Sequence, residues 1–203
     1  MLQNRVDPYG NIIKNPARGH WTGNRGVIHD EHKNILRRFK LKAWITCALQ
    51  FKGWKREVMS PNRWTELFFW DEATAFSAGH RPCFFCRRPD ANRFKVFWLK
   101  GNSEYGFDAK TRMPEIDKVI HRERIDEKGL KVTYLADITS LPDGCFIELN
   151  DKPWLIFEGL IYPWSPTGYG KGELFHKHQQ VKVLTPGSIV KTFSAGYKPE
   201  MIF

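Results

Sequence analysis

Residues 68–90 read FFWDEATAFSAGHRPCFFCRRPD. An aromatic run leads to Asp71, whose carboxylate is placed to accept an orphan amide in the first turn of a short helix, EATAFSA. Gly79 falls where a helix ends in a left-handed residue. Pro82 stiffens the approach to Cys83 and Cys86, and two intervening residues let both thiols point into one hollow. Past Arg87, Arg88 and Pro89, Asp90 reads as the cap of a second helix, ANRFKVFWLK, with Phe94, Phe97 and Trp98 on one face at i, i+3 and i+4. The stretch predicts a strand, a helix, a tight metal-binding turn and a second helix.

Upstream, KAWITCALQF (42–51) alternates. Ala43, Ile45, Cys47, Leu49 and Phe51 share one side and predict a strand with a strongly apolar face. Lys52-Gly53 reads as a hairpin turn into a second strand, WKREVM, and RWTELFF as a third. Residues 1–30, rich in Gly, Asn, Arg and Pro and without periodicity, read as an extended basic arm with a turn over Asp7-Pro8-Tyr9-Gly10. Downstream, a helix is expected from Pro114. The short runs KVTYL, CFIEL, PWLIF and LIYPW, parted by turn residues such as Asn150-Asp151, predict a small antiparallel β domain. QVKVL and a short helix after Thr185-Pro186 close the chain. FSAGHRP (76–82) recurs as FSAGYKP (193–199), which we read as a shared helix–Gly–turn geometry rather than a duplication. The expected class is α+β in three parts. These are the arm (1–30), a zinc-binding domain with a small antiparallel sheet and short helices around the cysteine turn (31–128), and a small β domain (129–203).

The 203 residues are 41% hydrophobic and 14% aromatic, as in folded chains. No apolar run reaches the length of a membrane span, and the N-terminus lacks the apolar core of a signal peptide. The expected compartment is the cytoplasm, where a CxxC is a metal or redox pair before it is a disulfide. No βαβ unit leads into it, which argues against a thioredoxin-like role. Of the formal net charge of +10, residues 1–60 carry +8, with 12 Lys and Arg against 4 Asp and Glu. Residues 61–130 carry +2, and the remainder is neutral. A positive field gathered in one third of a chain attracts polyanions, nucleic acid first.

The stretch 68–90 resembles the Ada-like zinc-binding modules, the family of the N-terminal metal-binding domain of the Ada alkylation-repair protein. The matching positions are Phe68 or Phe69, Glu72, Ala73, Ala78, Gly79, Arg81, Pro82, Cys83, Cys86, Pro89 and Asp90, with a weaker match back to the strand ending in Cys47. The resemblance implies Zn2+ held by Cys83, Cys86 and Cys47. The family's upstream ligands are two cysteines three residues apart, or a His and a Cys, whereas here Phe51 stands four residues after Cys47. The fourth ligand is therefore open among His29 and His32 of HDEH, His80 and Cys145, with His29 placed first. In Ada a zinc-bound cysteine accepts a methyl group from DNA, and Cys47 is the nearest positional match to that acceptor. No HExxH, nucleophile elbow or phosphate loop is present.

The function expected is nucleic-acid binding, DNA before RNA, with a structural zinc site. Arg81, Arg87, Arg88, Arg93, Lys52, Lys55 and Arg56 are the candidate phosphate contacts, and Trp54, with Trp64, the candidate stacking platform. The alternatives are a metal-dependent nuclease or repair enzyme, including a sacrificial methyl acceptor at Cys47, and a protein-interaction module. Catalysis is the lesser expectation, and no membrane partner is expected.

Overall fold

The computed structural model describes residues 1–53, 55 and 57–203. Trp54 and Arg56, two of the expected nucleic-acid contacts, lie outside the described residues. The class is α+β, with two six-stranded sheets and four α-helices among the described residues.

The first sheet is mixed, in the order β2 (Ile12–Lys14), β1 (Gln3–Val6), β5 (Leu67–Phe69), β3 (Trp21–Asn24), β4 (Ile45–Cys47) and β6 (Arg81–Pro82). The expected arm is thus half of this sheet. The turn over Asp7–Gly10 forms, with the Gly10 amide donating to the Asp7 carbonyl at 2.9 Å, and it closes the β1–β2 hairpin. Strands of three or four residues flanked by Gly and Pro are too short to show an alternation, which is why the segment reads as an arm. Gly23 permits the close approach of β3 and β4, since a Cβ there would lie 2.1 Å from the Ile45 carbonyl oxygen. The segment WKREVM is not a strand among its described residues. Lys52 and Gly53 do turn, at φ of 51° and 68°, but no strand pairs across them. Met59, also at positive φ, is buried beneath the loop instead.

Helix α1 (Glu72–Ser77) is buried along its whole length, and Asp71 caps it by accepting from the Thr74 amide at 2.8 Å. Gly79 follows at φ 83°, where a Cβ would strike the Arg124 stem. Helix α2 (Arg88–Gly101) begins three residues earlier than the sequence suggests, with Pro89 in its first turn. Asp90 is therefore inside the helix, and its Oδ2 accepts from Arg87 at 3.1 Å rather than capping. Helices α3 (Met113–Arg124) and α4 (Gly187–Ser194) complete the set.

The second sheet is antiparallel throughout: β11 (Gly168–Tyr169), β10 (Leu160–Ser165), β9 (Lys152–Phe157), β8 (Phe146–Leu149), β12 (Gln180–Val183) and β7 (Tyr134–Asp137). Asn150-Asp151 turns β8 into β9 with both residues at positive φ, and Glu158-Gly159 does the same for β9 into β10.

The first sheet has a buried cluster of its own around Val6, Ile28, Leu67 and Phe69, and two further clusters join the halves. Phe76, Phe94 and Trp98 pack with Ile116, Ile147, Ile156, Val183 and Phe193. Ala73 of α1 sits against Phe146, Leu155 and Leu184. Behind β4 the Trp44 indole is stacked between two buried guanidiniums, with Arg25 and Arg124 each 3.8 Å from its ring centroid. Arg124 donates to the carbonyls of Gly79 (2.8 Å) and Lys42 (2.6 Å), tying α3 to the first sheet.

Candidate metal centre

β4 and β6 run parallel, with Thr46 opposite Pro82. The Trp44 carbonyl accepts from the Arg81 amide at 3.1 Å and the Thr46 carbonyl from the Cys83 amide at 2.9 Å. This pairing sets Cys47, at the end of β4, beside the CxxC turn. The Sγ atoms of Cys47, Cys83 and Cys86 lie within 4.8 Å of one another. A tetrahedral zinc with Zn–S near 2.3 Å needs S···S separations of about 3.8 Å, so small side-chain adjustments suffice to close the three thiols on a metal ion. All four cysteines are free of disulfides.

The electrostatics of the three thiols are shared. Hydrogen bonding from Cys47 and then Cys86 holds Cys83 well below the usual thiol range, and the Phe85 amide donates to its Sγ at 3.3 Å. Cys47 is pushed up, first by its hydrogen bond to Cys83, then by that to Cys86, and then by burial. One thiolate is thus stabilised by its neighbours' protons. A divalent cation would replace those protons with its own charge.

The sequence's other candidate ligands do not join. His29 is buried, with Nδ1 2.6 Å from Thr65 Oγ1 and Nε2 3.3 Å from the Ser60 carbonyl oxygen. Its role is to pin the loop onto the first sheet. His80 is buried against Phe69 and Trp44, and its Nε2 accepts from Arg25 at 3.2 Å. Cys145 lies in the shared core. His32 is exposed, 3.6 Å from Glu31. Among the described residues, the three cysteines are the one group of His, Cys, Asp or Glu donors close enough to hold a metal.

Two of the expected phosphate contacts turn inward. Arg81 makes a two-pronged ion pair with Asp117, 2.7 Å at each nitrogen, and both side chains are buried. Arg87 is buried between Glu72 (2.5 Å) and Trp21, whose ring centroid is 3.8 Å from its guanidinium carbon, and it also donates to Thr46 Oγ1 at 3.0 Å. Both arginines fix the turn that carries the cysteines. Arg88 and Arg93 are exposed on α2, with Arg93 also 4.5 Å above the Tyr197 ring. Lys52 and Lys55 are exposed on the loop after β4.

The cysteines line a pocket of about 810 Å3. Its walls are aromatic and aliphatic, chiefly Leu49, Phe51, Trp64, Phe68 and Phe85, with Lys55 and Glu66 among the polar members. Trp64 is 42% and Phe85 58% exposed. Phe51 and Phe85 meet edge to face at 5.2 Å, and the Lys52 ammonium lies 5.5 Å and 6.0 Å from their ring centroids. Sequence reasoning found the strongly apolar face of 42–51 but not that it lines an open groove. Trp44 and Thr46 are the buried residues, while Ile45, Cys47, Leu49 and Phe51 line the groove. The signal available was Trp44 itself, a large ring on the opposite face.

No family model, curated protein or solved structure matches the chain.

Proposed function

We propose that the chain is a nucleic-acid-binding protein whose three cysteines hold Zn2+, and that the metal fixes the groove that receives the ligand. The observation carrying this reading is that the thiol cluster, exposed rings and Lys55 occupy one groove, with Lys52 beside Phe51 and Phe85. Rings exposed beside mobile cations suit unpaired bases, since a base stacks on an aromatic face whatever its identity while the backbone meets the charge. The charge bias of residues 1–60 supports the same partner. Zinc at Cys47, Cys83 and Cys86 would join β4 to the start of α2 and hold Phe85 and Phe51 at the groove. The resemblance to Ada-like modules points toward DNA. The nuclease reading has less support, because His29 and His32 of HDEH gather no further donors among the described residues.

The test is fluorescence anisotropy with labelled single-stranded and duplex oligonucleotides across a salt series. We expect affinity for single strands to fall linearly in log–log form with salt, and the slope to drop by about 0.7 for each of Lys52→Ala and Lys55→Ala. Trp64→Ala is expected to weaken binding by roughly tenfold or more, the loss of one stacked base. Binding that is absent, or indifferent to salt, sinks the proposal.

A further inference from the structure

The three-cysteine cluster is one ligand short of the tetrahedron that closes a structural zinc site. The shortage belongs to the fold. His29 is occupied by Thr65 and Ser60, His80 lies against Trp44 and Phe69, and Cys145 is in the shared core. Glu66 is the one carboxylate lining the pocket, and its Oε2 already accepts from the Met59 amide at 2.7 Å. Trp54 and Arg56 carry no metal-binding donor of the usual kinds.

All three cysteines line the same pocket, so the side of the cluster without a protein ligand faces that pocket. We propose that the fourth ligand enters there from solution and that it is a thiolate. The inference rests on the zinc reading above. Three considerations select the donor. A sulfur-rich set around zinc is completed most readily by another soft donor. The walls are aromatic and aliphatic, which favours a small apolar thiol over a strongly hydrated anion. Lys55 lines the pocket and offsets the negative charge that four thiolates place on a divalent ion. On entry the incoming thiol gives its proton to solvent and its sulfur donates an electron pair to the metal. No bond within the protein is made or broken, and no oxidant is needed.

The experiment uses the full chain, purified without thiol and loaded with Co2+, whose sulfur-to-metal charge-transfer absorption reports the number of bound thiolates. 2-Mercaptoethanol is then titrated, with imidazole in a parallel arm. We expect cobalt at one per chain and a saturable rise of about one-third in charge-transfer intensity with the thiol, as three sulfurs become four. Lys55→Glu should leave cobalt content unchanged and weaken thiol binding roughly twofold to fivefold. Cobalt bound one to one with a spectrum that the thiol does not change overturns this inference and leaves the metal site standing. So does a four-sulfur spectrum before any thiol is added, which would mean a cysteine from a second copy of the chain. Tighter binding of imidazole than of thiol overturns the choice of donor. Failure to bind cobalt at all overturns the metal site and this inference together.

Discussion

Cys47, Cys83 and Cys86 differ from the remaining candidate ligands in what already engages their donor atoms. The three sulfurs bond mainly to one another, whereas both His29 nitrogens serve the loop over Thr65 and Ser60. Elemental analysis should therefore find one zinc per chain in wild type and in His29→Ala, and little or none in Cys83→Ser or Cys47→Ser. Zinc lost in His29→Ala with the fold intact by circular dichroism would contradict the placement. Two histidines also set an acid limit on stability. Burial, then Arg124 and Lys42, push His121 down to about 4, and its Nδ1 sits 2.7 Å from an Arg124 nitrogen. Burial pushes His80 well below its usual value in the same way. Unfolded, each takes a proton near pH 6.5. For His121, between pH 6.5 and about 4, the unfolded chain thus binds more protons than the folded one, and stability falls as pH falls through that window. Urea midpoints at pH 7 and pH 5 should show this decline, and His121→Asn should shrink it. A midpoint that rises on acidification would contradict the assignment.

The elements that read correctly from sequence carry their own local signals. Asp71 caps α1, and Gly79 ends it because only a residue tolerant of φ 83° without a Cβ fits against Arg124. The two FSAG copies form the same closure, with Gly79 and Gly196 donating to the Phe76 and Phe193 carbonyls and His80 and Tyr197 to the Ala75 and Thr192 carbonyls. The hairpin at Asn150-Asp151 was equally legible. What periodicity could not supply was which side of a strand faces inward. In 42–51 the alternation is real, but the apolar side lines the groove, because Trp44 satisfies two buried guanidiniums on the other side. β1 and β3 were hidden for a different reason, since both pair with β5, tens of residues away, and no local pattern encodes that pairing. The Trp44 stack is testable. Trp44→Ala removes a large buried ring and leaves Arg25 and Arg124 without the face they rest on, and the cost should be about 3–5 kcal/mol. Equilibrium urea unfolding measures it. A loss below about 1 kcal/mol would mean that the stack is incidental to the fold.

Across the whole molecule, net charge and domain division were the least legible features. The sum of +10 counts Arg25, Arg81, Arg87 and Arg124 as though they faced water, yet all four are buried and two are neutralised by Asp117 and Glu72. The field available to a polyanion therefore comes from fewer cations, such as Lys52, Lys55, Arg88 and Arg93, than the composition implies. The expected boundary near residue 129 separates two sheets, each with buried residues of its own, yet Phe76, Phe94 and Trp98 share a cluster with Ile147, Ile156 and Val183 across it. Glu72 shows how closely the halves are knit: its Oε1 accepts from Arg87 at the cysteine turn and from Tyr197 at 3.0 Å, and its Oε2 from the Glu200 amide at 3.0 Å. No helix is long and apolar enough to cross a membrane among the described residues. A shared core of this kind makes local stabilisation global. Zinc bound only by the folded chain adds about 4 kcal/mol at a thousandfold excess over its Kd, which for a chain of this size is roughly 10 °C in Tm. Because α2 packs against α4 and shares a core cluster with Ile147 of β8, calorimetry should show one cooperative transition. A chelator should move that transition as a unit to lower temperature. Two separable transitions, with the chelator shifting only one of them, would show that residues 129–203 fold independently and that the packing joining the sheets contributes little to stability.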